Sequence, residues 1–257
     1  MIRSLRAVEF VRPMEVGSKD PALFLCEDEN GTEDVVVKFR EILMSQQFSC
    51  VGEVVAALLA EDLQLHAAEP VVVSLCSSLA ATTALKSYAA RIERSEGCNF
   101  GSVFVGPGTE AILPSEWDSS DLKRYWADVF CFDYLIQNYD RVSNNPNYLK
   151  IGNKVILIDH EQAFRNIESG DSSFSVDSLK LDAVFFHVAF PILDLSSDFR
   201  PFFSRLSTLP EARIADYFAS LPQSWQDTRS MLLEQYLRWA REHANELCER
   251  LTSILAL

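Results

Sequence analysis

The fold is indicated most clearly by Asn138-Tyr-Asp-Arg-Val-Ser-Asn-Asn-Pro-Asn147, followed closely by Ile156-Leu-Ile-Asp-His-Glu161. The first segment holds four Asn, one Asp and one Pro in ten residues, a composition that favours turns over helices and strands. The second belongs to the apolar run 155–158, which predicts a short strand ending at Asp159. The sequence therefore predicts a polar loop and a strand end that lie one short hairpin apart.

Three side chains of these segments suit phosphoryl transfer. Asp140 is a carboxylate that can orient or deprotonate an acceptor hydroxyl, and Asn145 and Asp159 supply the oxygen ligands that hold Mg²⁺ beside nucleotide phosphates. The alternative is structural, because Asx-rich loops are common and an Asp at a strand end can cap the next element. An upstream lysine, Lys38, favours the catalytic interpretation.

The composition is that of a folded, acidic protein. The 257 residues are 48% hydrophobic, which is enough for one large domain or two lobes. The net charge of −14 and a pI near 4.7 argue against general binding to nucleic acids or anionic membranes. Six cysteines without a CxxC pair predict small core residues in a reducing compartment, not disulfides or a zinc site.

The sequence predicts no targeting or membrane segment. The N-terminus carries charges at Arg3, Arg6 and Glu9, so it lacks the apolar core of a signal peptide. The longest apolar run, Ala183–Leu193, is interrupted by His187 and is too short to span a bilayer. We therefore expect a cytoplasmic protein that does not engage membranes.

The first third of the chain predicts a β-rich unit with a central helix. The Asn30-Gly31 pair predicts a hairpin turn before a β-branched strand at Val35–Phe39. Apolar residues at helical spacing predict a helix over Cys50–Leu65, which Pro70 ends. The other elements predicted here are strands at Val8–Val11, Ala22–Cys26, Val71–Leu75 and Asn99–Val105, and a helix at Ser78–Arg94.

The pattern becomes helical after Gly106-Pro-Gly108, which we interpret as a hinge or lobe boundary. Asp118 or Ser119 is suited to cap a helix that runs to about Gln137, and the polar loop follows that helix directly. The last part of the chain predicts helices separated by prolines, ending in one long amphipathic helix at Ser224–Ile254.

This layout predicts an α+β, bilobal, protein-kinase-like fold, with a small β-rich N-lobe at residues 1–106 and a larger helical C-lobe at 107–257. Lys38 ends a hydrophobic strand, where such a fold keeps the lysine that grips nucleotide phosphates. Glu53 on the next helix is suited to pair with Lys38, and Glu61 nearby is the alternative partner. The bland alternative is that these are solvated surface charges, as most lysines and glutamates are.

Together these features resemble the HipA-like kinases, specifically the small, stand-alone type, over roughly residues 5–240. The most specific match is the Asn-x-Asp-Arg loop joined to Ile-Asp-His-x-x-Ala-Phe. Val142 and Asn144 depart from the family pattern, which usually has His and Gly there. The matching segments are Gly17-Ser18-Lys19, Val36-Val-Lys38-Phe39, Glu53, Phe100-Gly-Ser102, Asn138-Tyr-Asp-Arg141 with Asn145, and Ile158-Asp-His-Glu-Gln-Ala-Phe164.

The resemblance implies a role for each site residue, with ATP and Mg²⁺ as cofactors. Asp140 is the implied catalytic acid or base, Arg141 braces the loop or offsets charge beside it, and Asn145 and Asp159 bind the metal. The implied nucleotide-binding residues are Lys38, held by Glu53, the phosphate loop Gly17, Ser18 and Lys19, and the lobe connection Val103, Phe104 and Val105 facing the adenine.

The implied activity is transfer of the γ-phosphate of ATP to a Ser or Thr hydroxyl of a protein. One alternative is a small-molecule phosphotransferase, similar to the aminoglycoside and choline kinases; against it, Asn138 stands where that group has His. Another is a nucleotide-binding pseudokinase that acts through a partner, although Lys38, Asp140, Asn145 and Asp159 are all present. The sequence names neither the acceptor nor any regulatory protein partner.

Overall fold

The structure is a computed structural model that describes residues 2–15, 19–43, 47–106, 119–152, 154–170, 172–178, 185–194 and 196–255. It contains β-strands and α-helices in one mixed α/β chain, as the sequence predicts. No helix in these ranges is long and apolar enough to cross a membrane. The six cysteines are free, and four of them are buried.

Five strands close into a barrel in the order β1-β2-β3-β5-β4. The pairing of β1 with β4 is parallel and the other neighbouring pairs are antiparallel. The strands are β1 (Arg3–Pro13), β2 (Ala22–Asp28), β3 (Gly31–Lys38), β4 (Pro70–Leu75) and β5 (Gly97–Val103). Each predicted strand of the first third is therefore confirmed, although the bounds differ by several residues.

The alternation of side chains along β3 explains how the barrel fills. Val35 and Val37 are fully buried among the barrel's interior side chains, whereas Val36 between them is only partly buried. Successive residues of a strand point to opposite faces, so Lys38 lies on the outer face with Val36. That outer face lies next to the helix that follows β3 in the chain.

Gly101 sits where the barrel has no room for a side chain. A Cβ atom there would lie 2.7 Å from both Val35 Cγ1 and Val73 Cγ2, and 3.1 Å from Val71 Cγ2. These valines are fully buried, and a β-branched side chain has little rotamer freedom with which to move away. The glycine therefore allows three strands to approach each other inside the barrel.

Helix α1 (Gln47–Asp62) is buried on nearly all sides. It packs against β4 and β5 of the barrel and against α7 (Glu211–Ala219) and α8 (Thr228–Glu242). The helix ends three residues before the predicted Leu65, because Gln64 adopts a left-handed conformation with φ of 66°. A helix in this position brings its central residues next to the end of β3.

The remaining elements are mostly helices. The first two, within residues 77–94, contribute to the core of the barrel, and the later ones surround a second apolar core. A hairpin of β6 (Tyr148–Ile151) and β7 (Lys154–Leu157) interrupts them, as the sequence predicts. The helices are α2 (Ser77–Thr82), α3 (Lys86–Arg94), α4 (Ser120–Leu135), α5 (Arg165–Glu168), α6 (Arg200–Thr208), α7, α8 and α9 (Ala244–Ile254). Ser119 caps α4 by accepting from Leu122 N at 3.2 Å, whereas Asp118, the other predicted cap, lies outside the described residues.

Two helix predictions are wrong in the same way. The predicted helix Ser78–Arg94 is two helices, and the hydroxyls of Thr82 and Thr83 both donate to Leu79 O, which competes with helix continuation. The predicted helix Ser224–Ile254 is also two helices, α8 and α9, which meet at His243. Residue 243 has φ of −101° and ψ of 21°, outside the helical region.

A pair of glycine substitutions tests the packing of the barrel. We expect Gly101→Ala to lower the free energy of unfolding by about 1–3 kcal/mol, because the added methyl group overpacks the interior. Gly52→Ala on α1 is the matched control, since its Cβ would meet its nearest neighbours at 3.8 and 3.9 Å. That control should raise stability by about 0.5–1 kcal/mol. Equal effects of the two substitutions in chemical denaturation would contradict this packing.

Candidate active site

A buried lysine joins three parts of the chain at the end of β3. Lys38 Nζ donates to Glu53 Oε1 on α1 and, at 2.7 Å, to Asp159 Oδ1 just after β7. The other oxygen of Glu53, Oε2, accepts from His160 N at 2.8 Å. The side chain of Lys38 is 12% exposed and that of Glu53 is 1% exposed, so neither is a solvated surface charge. Of the two glutamates on α1, Glu53 and not Glu61 is the partner.

The charges of this cluster depend on one another. Burial alone would lower the pKa of Lys38, but the carboxylates of Glu53 and Asp159 reverse that effect and raise it. Burial raises the pKa of Glu53, and the attraction of Lys38 opposes the rise. Burial also opposes ionisation of Asp159, but Lys38 outweighs it and holds that pKa below its ordinary value. Asp159 is therefore ionised at neutral pH.

The chain presents Asp159 at the mouth of this cluster. Strand β7 is fixed to the segment after α1, since Leu157 N donates to His66 O at 2.8 Å and Ala68 N donates to Leu157 O at 3.0 Å. Asp159 follows with φ of 58°, a left-handed conformation that few non-glycine residues adopt. Its side chain is 35% exposed, whereas the next residue, His160, is buried. The strained backbone turns the carboxylate outward while the chain on either side stays packed.

The polar loop folds into a tight turn around Asp140. Val142 and Asn145 exchange two backbone hydrogen bonds, of 3.1 and 2.9 Å, and Val142 N also lies 3.0 Å from Asp140 O. The amide nitrogens of Asn145 and Asn147 donate to Asp140 Oδ2 at 2.9 and 3.4 Å. Asn145 is exposed, and its amide nitrogen faces Asp140. Its amide oxygen is an acceptor that is suited to bind a cation.

Asp140 and Asp159 lie near enough to affect each other's ionisation. Partial burial raises the pKa of Asp140, and the negative charge of Asp159 raises it further. A carboxylate with a raised pKa is a stronger base, which suits the acceptance of a proton from a hydroxyl. The structure thus brings Asp140 and Asn145 together in the loop, and Lys38 and Asp159 together in the ion cluster. The charge of Asp159 acts on Asp140, so the two groups are neighbours.

Arg141 points away from solvent, beneath the loop. Its side chain is fully buried, Nε donates to Asp133 Oδ2 at 2.6 Å, and Nη1 donates to the carbonyl oxygen of Asn147. His187 Nε2 lies 2.9 Å from the same oxygen of Asp133. Neither Asp133 nor His187 is among the predicted site residues. The available signal was an acid within the apolar helical run Phe130–Ile136.

The predicted phosphate loop is only partly described. Gly17 and Ser18 lie outside the described residues, whereas Lys19 Nζ is 3.9 Å from Glu161 Oε1, two residues beyond Asp159. In the predicted lobe connection, Val103 N donates to Glu69 O and Phe104 N donates to Asp34 O, both at 2.9 Å. Residues 103–106 are partly buried. Of the predicted Gly106-Pro-Gly108 hinge, only Gly106 is described, with φ of 97°.

The side chains present fit a magnesium ion that is shared with phosphates. Within the described ranges, no group of three or more His, Cys, Asp and Glu side chains could hold a metal ion by itself. Mg²⁺ is commonly bound through one or two protein oxygens, with phosphates and waters completing its shell. An ionised Asp159 and the amide oxygen of Asn145 are hard oxygen donors of that kind.

Substitutions on α1 test the buried ion cluster. We expect Glu53→Gln to lower the free energy of unfolding by about 1–3 kcal/mol, because the amide cannot satisfy both Lys38 Nζ and His160 N. Glu61→Gln is the matched control, since Glu61 is exposed on the same helix. Equal stability of the two variants in urea denaturation would contradict the importance of the cluster.

Comparison with known proteins places the chain in a family. A search of curated proteins found no match. One similar solved structure is that of the proinflammatory kinase CtkA of Helicobacter pylori, with 14% sequence identity, coverage of 91% of this chain and 95% of that chain, and a TM-score of 0.49. The family model described as HipA-like kinase matches residues 7–251, which is nearly the whole chain. This chain belongs to the HipA-like kinase family.

Proposed function

We propose that this HipA-like kinase is an ATP- and Mg²⁺-dependent phosphotransferase acting on a Ser or Thr hydroxyl of a protein. The observation that carries the proposal is the contact of one buried lysine, Lys38, with both Glu53 and Asp159. This contact puts a fixed positive charge beside an ionised carboxylate. A site that binds phosphates together with a divalent cation requires both groups.

The fold supports a bilobal arrangement for this activity. In the proposal, residues 1–106 form an N-lobe of barrel and α1, and residues 107–257 form a helical C-lobe. Lys38 belongs to the first part, and Asp140, Asn145 and Asp159 belong to the second. ATP would bind between them, with the adenine against Val103, Phe104 and Val105.

The phosphates would be held from both sides. Lys38 would contact them directly, and the loop of Gly17, Ser18 and Lys19 would cover them. The 3.9 Å approach of Lys19 to Glu161 supports this, because it brings Lys19 to the segment that carries Asp159. Asn145 and Asp159 would hold Mg²⁺, which neutralises charge on the phosphates when it is bound.

Asp140 would act on the acceptor. The hydroxyl oxygen attacks the γ-phosphorus, the bond from that phosphorus to the β–γ bridging oxygen breaks, and ADP leaves. Asp140 orients the hydroxyl and takes its proton, and Asn145 and Asn147 fix its carboxylate by donating to Oδ2. Catalysis by this route consists mostly of positioning and electrostatic stabilisation.

The residue assignments predict distinct kinetic effects. Asp140→Asn removes the proton acceptor, so phosphoryl transfer should fall by about 10²-fold or more while ATP still binds. Asp159→Asn removes the ionised metal ligand, so it should abolish transfer and raise the Mg²⁺ concentration needed for nucleotide binding. Transfer from γ-labelled ATP and calorimetry of ATP binding separate these two effects.

The matched control is Asp216→Asn, an exposed carboxylate on α7. It should leave both transfer and binding unchanged. Full activity of Asp140→Asn or Asp159→Asn, with activity of the control also intact, would contradict the assigned roles.

The acceptor class is tested with a cell lysate. We expect the purified protein with Mg²⁺ and γ-labelled ATP to label a lysate protein on Ser or Thr, and Asp140→Asn to lose that label. Phosphoamino-acid analysis of the labelled band identifies the hydroxyl. Label that appears only in the small-molecule fraction would instead show a kinase of the aminoglycoside or choline type.

A further inference from the structure

A carboxylate beneath the polar loop collects hydrogen bonds from three directions. Asp133, near the end of α4, is 1% exposed. Its Oδ2 accepts from Arg141 Nε at 2.6 Å and faces His187 Nε2 at 2.9 Å. Its Oδ1 accepts from Asn138 Nδ2 at 3.2 Å. A buried carboxylate with this many donors is stabilised as an anion. Burial alone would raise the pKa of Asp133, but Arg141 and His187 outweigh that effect and lower it.

The hydrogen bonds of His187 fix which ring nitrogen carries the proton. Ala189 N donates to His187 Nδ1 at 3.0 Å, so Nδ1 is an acceptor. The proton of a neutral ring is therefore on Nε2, which donates to Asp133. The ring is fixed at both nitrogens and also contacts the Phe130 ring edge to face at 5.2 Å between centroids.

Through this carboxylate, three separate segments meet directly behind Asp140. Arg141 also donates to the carbonyl oxygen of Asn147, so the same guanidinium joins Asp133 to the far end of the loop. Val188 N donates to Arg141 O at 3.0 Å, and the backbones of Val142 and His187 form an antiparallel bridge. The segment 185–194 is thus fixed to the polar loop by backbone and by side chain.

From this arrangement we propose that Asp133 and His187 are positioning residues for phosphoryl transfer. They act through Arg141, whose placement fixes the loop that carries Asp140 and Asn145. The proposal rests on the proposed function for its kinetic consequence, although the loop placement can be measured without activity. A displacement of about 1 Å at a reacting group can cost about 10²-fold in rate, so a loosened loop has a large effect.

The energetics favour this role over simple stabilisation. A buried ion pair contributes little net stability, because desolvation of both charges offsets their attraction. Removal of only one partner lowers the stability strongly, because the charge of the other partner stays buried without a counter-charge. The same helix offers a comparison at Asp128, which pairs with Arg205 of α6 at 2.5 Å, whereas Asp133 pairs with an arginine of the loop. The proposal therefore assigns different kinetic roles to two acid–arginine pairs on one helix.

The test compares four variants of the full chain. Asp133→Asn removes the negative charge, and His187→Phe removes the ring N–H that donates to Asp133. His187→Gln keeps a donor, because its amide nitrogen can still donate to Asp133. Asp128→Asn is the matched control on α4. For each variant, kcat and KM for ATP are measured with γ-labelled ATP, and hydrogen–deuterium exchange is followed over residues 138–147.

We expect His187→Phe to lower kcat by about 10²-fold with KM for ATP changed by less than about 2-fold, and to speed exchange in the loop. His187→Gln should restore most of kcat and of the protection. Asp133→Asn should resemble His187→Phe if it folds, and Asp128→Asn should keep kcat even where it lowers stability.

Two outcomes would overturn the proposal. One is a His187→Phe variant whose kcat and loop exchange match those of Asp128→Asn. The other is a His187→Gln variant as impaired as His187→Phe, since that would require the ring itself and not the donor. Absence of transfer by the wild-type protein would overturn the proposed function alone, and the exchange measurements would still decide the loop placement.

Discussion

The requirement to hold a buried ammonium group is the constraint on which the site depends. Lys38 is removed from water, and an isolated buried charge of this kind costs several kcal/mol unless it is paired. Its two partners come from different parts of the chain, Glu53 from α1 and Asp159 from the end of the β6–β7 hairpin. The barrel, the buried helix and the hairpin must therefore come together for the charge to be satisfied, and that assembly creates the site.

The charges of the same cluster fit the proposed binding of a cation. Asp140 and Asp159 are near enough that the charge of one raises the pKa of the other, and the whole chain carries a net charge of −14. Lys38 neutralises only part of this local negative charge. A divalent cation between Asp159, Asn145 and the phosphates would complete the balance, and hard oxygen donors favour Mg²⁺ in that position. The net negative charge of the protein is therefore compatible with the proposed binding of ATP, because local charge and not net charge governs a site.

Local sequence patterns predicted much of the site but not its support. The β-branched run before Lys38, the helical spacing around Glu53 and the turn composition around Asp140 are local signals, and each of these residues lies where its pattern indicates. The network of Asp133, Arg141 and His187 joins residues up to 54 positions apart, and no local pattern encodes such a contact.

The misplaced helix ends have a similar cause. The breaks after Thr82 and at His243 involve no proline or glycine, so the residues that usually mark helix ends gave no signal. At the first break, side-chain hydroxyls compete for a helix carbonyl oxygen. At the second, the backbone leaves the helical region at His243, and α8 and α9 both contribute to the same apolar core. Tertiary packing decides such ends, and helix propensity is a weak guide to them.

In the proposed function, Lys38 holds the phosphates of ATP. Calorimetric titration of ATP with Mg²⁺ tests this role in the wild-type protein, in Lys38→Met and in Lys86→Met, a control at an exposed lysine on α3. Lys38→Met should weaken ATP binding by at least about 10-fold, because a charge-assisted contact to phosphate is lost. Lys86→Met should bind as the wild-type protein does. Equal affinity of the folded Lys38→Met and Lys86→Met variants would contradict a role of Lys38 in phosphate binding.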